Sequence, residues 1–449
     1  MIKQLVLAVL LIGFAFTGSA QNDYPTNSEV NQRIEALGTS SLVTIKLVAT
    51  TASNQPIKAV EIGKDKNNPA LVVVGNVDGS HILGVELALQ FAERLVNDQS
   101  VDSINQLLGN TTFIVIPNVS PDAYAQAFNS LKYERIDNSR KMDNDRDGDF
   151  DEDGYDDLNG DGLITMMRIK HPTGTYRSHE ADPRVLVEAD VSKGEEGIYL
   201  VMEEGLDNDQ DGHYNEDGPG GVAFNHNLTY KYPNFTSFAG HHPVSEPETK
   251  GLLDYLYDKW NVFAVMSFGT ANNLSSPTNY NQGAASKRVV ASWLEKDVAL
   301  NKVVAAMYKE HLETEGAPES AAPSGDFHSW AYFHYGRFSF SSPAWWPTKF
   351  ELPKDSLEAA KFLPNKDNNQ SVDLLRTAAQ QGRTIFTEWT SIQHPDYPGY
   401  EVEVGGFHPY AHTLPPFQEV DSMAIKHNDF LLQLASGRSI LSVNDVKTE

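Results

Sequence analysis

The chain has no cysteine in 449 residues, and that absence closes several routes together. Disulfides, thiolate zinc sites and cysteine nucleophiles are excluded, so stability must come from packing and from bound ions. Basic residues are scarce as well: Lys and Arg number 35 against 61 Asp and Glu, a formal net charge of −26. A nucleic-acid surface needs clustered cations, and this composition argues against one. Beyond residue 20 no apolar run approaches the length of a membrane span. The run Leu5–Phe16 follows Lys3 and precedes the small residues Gly18 and Ala20, the pattern of a secretory signal peptide over 1–20. The expected product is a mature chain of roughly 430 residues, large enough for a full core, in a periplasm or outside the cell.

What is present centres on Leu71–Leu95. The apolar run Leu71–Val74 leads into the short turn Asp78-Gly79-Ser80-His81, and Ile82, Val85, Leu89 and Leu95 then recur at helical spacing. This is a strand, loop and helix of an α/β sheet, in which sites form beside the carboxyl ends of strands. Val43–Ala49 and Ala59–Ile62 read as an entering hairpin, Val101–Leu108 as a helix and Thr112–Ile116 as a buried strand, while residues 21–40 read as a loose polar lead-in. Further on, Val262–Phe268 and Phe338–Ser342 read as strands, and Ala284–Glu315 and Asp421–Leu434 as helices. Val185–Val191 and Ile198–Met202 supply short strands, and Glu401–Phe407 a strand of the main framework.

Composition changes abruptly after Asp137. Residues 143–161 hold ten Asp or Glu and one basic residue, Arg146. A charge run is commonly a solvated stretch. Here it is part of an internal repeat: Asp143–Gly154 reads DNDRDGDFDEDG and Asp207–Gly218 reads DNDQDGHYNEDG, identical at eight of twelve positions. Both follow D-x-D-x-D-G, and Asp157-x-Asn159-x-Asp161-Gly162 repeats that spacing. Oxygen ligands at positions 1, 3 and 5 and a glycine at 6 are the first half of an EF-hand-type calcium loop. Position 12, where such a loop has its bidentate Glu, holds Gly154, Gly218 and Arg168. The calcium candidates are Asp143, Asp145, Asp147, Asp151 and Asp153, then Asp157, Asn159 and Asp161, then Asp207, Asp209, Asp211, Asn215 and Asp217. Coordination is expected to close through Asp153, Asp217 or neighbouring loops.

Several segments carry a family resemblance. GNVDGSHILGVELAL (75–89), FIVIPNVSPDAY (113–124), Gly221–Asn227, Ser245-Glu246-Pro247-Glu248-Thr249 and Asp326–Gly336 resemble segments of the M14 metallocarboxypeptidases, the carboxypeptidase A-like zinc enzymes. The quintet 245–249 matches that family's residues outright, and the resemblance covers nearly all of the mature chain. It implies an α/β fold with a mixed, mainly parallel central sheet and helices on both faces. The domain then runs over 21–449, with the acidic calcium-loop segment inserted at about 137–221.

The resemblance also implies a zinc ion, a Glu general base and a cleft for the C-terminus of a peptide or protein. At the zinc-ligand positions stand Asp78 for His, His81 for Glu and Met266 for His. Near Pro343, where the base would fall, no Glu occurs between Glu319 and Glu351. Arg140, Asn225 and His226 align with the substrate-binding positions, His226 standing in for an Arg. A thioether is a poor zinc ligand and a neutral imidazole lacks the bidentate fork of Arg. The leading expectation is therefore an exported, calcium-stabilised protein that binds a peptide-like ligand without zinc-dependent hydrolysis. Two others stay open: an active zinc carboxypeptidase whose third ligand is His226, His241, His242 or His328, and a calcium-dependent surface module. The sequence leaves the oligomeric state undetermined.

Overall fold

The computed structural model describes residues 24–143 and 148–437; the leader assigned to 1–20, and Asp145 and Asp147, lie outside them. In chain order the strands are β1 (Val43–Thr50), β2 (Pro56–Ile62), β3 (Ala70–Val74), β4 (Thr112–Ile116), β5 (Met166–Lys170) and β6 (Tyr176–His179). After them come β7 (Asp182–Glu188), β8 (Tyr199–Glu203), β9 (Val262–Phe268), β10 (Phe338–Ser342), β11 (Phe386–Ile392) and β12 (Val402–Phe407).

The central sheet has the order β1-β2-β4-β3-β9-β10. β4, β3, β9 and β10 run parallel, while β2 is antiparallel to both β1 and β4. Every residue of β3 (ALVVV) and β4 (TFIVI) is buried, as expected for strands covered on both faces. Alternation divides β9 between two cores. Ala264, Met266 and Phe268 face the one that includes Leu83, Leu87 and Phe91 of helix Ile82–Asn97 and Phe430 and Leu431 of helix Phe417–Ser436. Val265 faces the other, with Leu252 and Leu256 of helix Pro247–Tyr257 and Trp330 of helix Phe327–Phe333. This is the mixed α/β sheet expected from the sequence.

The second sheet has the order β11-β12-β5-β8-β6-β7, with every adjacent pair antiparallel. Its composition corrects the sequence reading, which put the strand Glu401–Phe407 in the main framework. β12 instead pairs with β5, Val402 opposite Ile169 and Val404 opposite Met167, because the apolar face of each strand needs the other to leave water. Two helical assignments change as well. The expected loose lead-in holds helix Asn27–Leu37, started by a capping box between Thr26 and Glu29 and buried through Val30, Ile34 and Leu37. The long helix expected over Ala284–Glu315 is broken into Gln282–Ala285 and Glu295–His311. Between these pieces Trp293 stacks on Tyr332 at 4.0 Å, and the Tyr332 hydroxyl accepts the Leu294 amide, contacts with a distant helix that local periodicity does not report.

Candidate functional site

The carboxyl ends of β3, β9 and β10 open on one side of the central sheet, and the loops following them meet there. Gly79 lies at φ +76°, and a Cβ on it would collide with the carbonyl of Ile136, so the Asp78–His81 turn closes directly onto the segment that leads to Arg140.

Asp78 and Asn225 are brought together. Asn225 Nδ2 donates to Asp78 Oδ1 at 2.5 Å, and the Asn225 Oδ1 accepts the Phe327 amide at 2.7 Å. The other Asp78 oxygen accepts the Thr270 amide at 2.6 Å, and the Thr270 hydroxyl donates to Oδ1 at 3.2 Å. Thr270, two residues beyond β9, carried no motif and was missed in the sequence.

His81 reaches the segment that follows β10. It is 4% exposed, and its Nε2 lies 3.0 Å from the Pro343 carbonyl, which can only accept, so this nitrogen carries the proton. The Nδ1 has no partner and faces Gly84, where a Cβ would stand 2.8 Å away. Burial holds the imidazole below its usual pKa, partly offset by the charge of Asp78. Met266 is fully buried in the helix-side core, opposite Phe340 of β10.

Each of the three side chains has its contacts inside the protein. One carboxylate is consumed by Asn225 and Thr270, the imidazole proton is directed at a carbonyl, and the thioether is packed among apolar side chains. Among the described residues, the two groups of three His, Asp or Glu with ligand atoms within 4.8 Å of one another both lie in the acidic segment. The candidate third ligands differ in their surroundings. His328 Nδ1 pairs with the Ser339 hydroxyl at 3.0 Å, whereas His241 and His242 are exposed. His226 is half-buried next to Asn225; its Nδ1 has no partner, and burial lowers its pKa against the opposing charge of Asp78.

Arg140 reaches the same region from the other side. Its Nη1 donates to Glu246 Oε1 at 2.9 Å, with the Arg side chain 38% exposed and the Glu 1%. Glu246 and Glu248, the two acids of the 245–249 quintet, share one donor. Asn138 Nδ2 gives 2.8 Å to Glu246 and 2.5 Å to Glu248. A continuous network joins these groups to the Asn225 loop, since the Ser245 hydroxyl donates to Glu246 and the Asn227 side chain accepts the Glu246 amide. Glu246 was quoted in the sequence as a fold signal; its role as the Arg140 counter-ion depends on the fold.

Burial pushes Glu248 up to about 7, with the charges of Glu246 and Asp122 adding to it and Asn138 opposing. The folded state therefore holds this proton more tightly than the unfolded chain, and stability falls as pH rises from the ordinary Glu range to about 7. Glu248→Gln is expected to flatten that fall and to leave the variant about 2–3 kcal/mol more stable than wild type at pH 8, read by denaturant melts across pH.

The acidic repeats interlock. Asp153 is fully buried and accepts the Asn208 and Asn215 amides of the second copy at 3.1 and 2.6 Å. Asp207, Asp209 and Asp211 gather their carboxylates, and each accepts a main-chain N–H from within the loop. Asp143 is half-buried, Asp151 pairs with Lys141, and Asp217 is 1% exposed. In the Asp157 loop, Asp157 accepts the amides of Gly160, Asp161 and Gly162, and Glu204 joins Asp157 and Asp161 from the end of β8. Nothing in the local spacing pointed to Glu204.

Residues 30–191 match the family described as zinc carboxypeptidase, peptidase family M14. Carboxypeptidase E of Caenorhabditis elegans is 29% identical over 109 residues, covering 24% of this chain and 20% of that protein's length. Among solved structures, bovine thrombin-activatable fibrinolysis inhibitor, in complex with tick carboxypeptidase inhibitor, overlays with a TM-score of 0.47 at 13% identity, covering 94% of this chain and all of the other. Carboxypeptidase A of Helicoverpa armigera gives 0.44 at 15% identity, covering 72% and 64%. No helix of the described residues is long and apolar enough to cross a membrane. What is shown is a likeness to the M14 zinc carboxypeptidases over residues 30–191, rather more than a third of the chain.

Proposed function

We propose that this is an exported, calcium-stabilised protein that binds a peptide or protein C-terminus in the M14 cleft and does not hydrolyse it. The observation that carries the reading is the disposition of Asp78 and His81. Both oxygens of Asp78 hold the Asn225 and Thr270 loops together, and the His81 proton is given to Pro343 inside the protein. A hydrolytic zinc needs an open coordination position and a neighbouring carboxylate to take the proton of the attacking water. The residues here are used to fasten loops instead. Ligand binding falls to the rim, where His226 follows Asn225 in the chain and Arg140, paired with Glu246, is partly exposed. A terminal carboxylate beside Arg140 would gain a charge-assisted hydrogen bond, about 1.5–3 kcal/mol.

The test combines elemental analysis of the purified mature protein, dialysed against trace zinc and calcium, with a peptide-release assay on the same sample. Calcium without zinc and no release of C-terminal residues is the expected result. About one zinc per chain with chelator-sensitive release would overturn the reading. Binding is checked with fluorescent peptides: a free C-terminus is expected to bind at least ~10-fold tighter than its amide, and Arg140→Ala to abolish that difference.

A further inference from the structure

The Asp157 loop lacks the Glu at its twelfth position that closes an EF-hand-type site. That position is Arg168, on β5, and its guanidinium is committed to Glu403 at 2.7 Å. In a helix-flanked loop the chain turns back and returns its own Glu to the ion. Here the loop runs into a strand, which carries position 12 away. The neighbouring strand supplies what is missing. β5 and β8 are antiparallel with Met166 opposite Glu203, so the next residue, Glu204, falls beside Thr165 at the mouth of the loop. The Glu204 amide donates to the Thr165 carbonyl at 3.1 Å, and the Thr165 amide donates to Glu204 Oε1 at 3.2 Å.

Glu204 is fully buried, and its second oxygen, Oε2, has no hydrogen-bond partner. Oxygens of Asp157, Asp161 and Glu204 lie within 4.8 Å of one another. A buried carboxylate with one oxygen unpaired, beside two further carboxylates, is costly unless it takes up a proton or a cation sits between them. The rest of the loop is already in a ligating conformation: Gly162 takes φ +83° at the sharp turn, Ile164 at position 8 is buried, and the Asn159 and Asp161 side chains accept main-chain amides within the loop. The Thr387 hydroxyl, on β11, donates to Asp161 Oδ2 at 3.2 Å.

We propose that Asp157, Asn159, Asp161 and Glu204 form a calcium site in which Glu204, donated by the adjacent strand, takes the place of the loop's missing twelfth-position carboxylate. An all-oxygen set with three carboxylates suits a hard divalent cation, and the flexible loop suits calcium over the smaller, stricter magnesium. The ion then ties the loop to β8 and, through Asp161 and Thr387, to β11, clasping the second sheet across strands remote in sequence. This deepens the calcium part of the function proposed above and rests on it.

The experiment is calorimetric titration of the chelator-stripped full-length mature protein with calcium alone, for wild type, Glu204→Gln, Asp161→Asn and Asp209→Asn. Glu204→Gln and Asp161→Asn are each expected to remove the same single site or weaken it at least ~30-fold, and the double variant to lose no more than either. Asp209→Asn is expected to leave that site intact. Wild-type stoichiometry and affinities in Glu204→Gln would overturn the role of Glu204 while leaving calcium binding by the loops in place. No calcium binding by the wild type would remove both. Amide exchange on the unmodified protein covers the case in which Glu204→Gln fails to fold: calcium is expected to slow exchange at Thr165 and Glu204, and protection confined to 157–163 would overturn the proposal.

Discussion

Stripping the purified protein with a chelator is expected to lower its stability by about 5 kcal/mol, measured as the difference between denaturant melts in calcium and in chelator. The figure follows from two groups of carboxylates, Asp207 with Asp209 and Asp211, and Asp157 with Asp161 and Glu204. Each site filled by free calcium at about 100 times its dissociation constant adds about 2.7 kcal/mol to the folded state. Without the ion the same oxygens repel at short range, and relief of that repulsion is part of the binding free energy. It should appear first as loosening of the second sheet, because β5 and β8 flank the Asp157 loop and the two repeats are joined through Asp153. Coincident melts in calcium and chelator would remove the cation from the account of this fold.

Asn138→Ala is expected to cost about 3–5 kcal/mol and to disorder the cleft while leaving the central sheet in place. One amide nitrogen serves both Glu246 and Glu248, which are 1% and 2% exposed, and the amide oxygen accepts from Arg140 and Val222. Hydrogen bonds to charged groups contribute about 1.5–3 kcal/mol each, and a buried carboxylate left without its donor bears the desolvation cost as well. The alanine variant should therefore melt earlier, and the deficit should shrink as pH falls toward about 7 and Glu248 takes up its proton. A deficit that stays constant with pH would mean that Glu248 is not the group left uncompensated. Asn138 also orients the chain at Arg140, so the preference for a free peptide C-terminus should be lost together with stability.

The framework was legible because its signals are local. Continuous apolar runs at 71–74 and 112–116, helical spacing after Ile82 and the quintet 245–249 each specify one element, and the structure places them in a mixed α/β sheet. The threonine cap with Glu three residues on, at Thr26 and Glu29, was equally local; it went unread because the surrounding residues are polar. The split of the 284–315 helix could not be read at all, since Trp293 leaves the helical path to stack on a side chain some forty residues later.

From the amino-acid sequence alone came the repeated acidic loops, because residue identity and spacing are properties of the chain itself, and the resemblance to the M14 family singled out Asp78, His81, Met266 and the stretch near Pro343. Only the tertiary structure decided what those residues do. It turned His81 inward to a carbonyl and fastened Asp78 to Asn225 and Thr270. It set Glu246 against Arg140 and moved β12 out of the framework into the second sheet. It also placed Glu204 across a strand pair from Asp157, a distance of 47 positions along the chain. Antiparallel pairing makes neighbours of residues whose separation in sequence carries no periodicity, and a buried carboxylate acquires its partner or its ion only where such pairing brings them together.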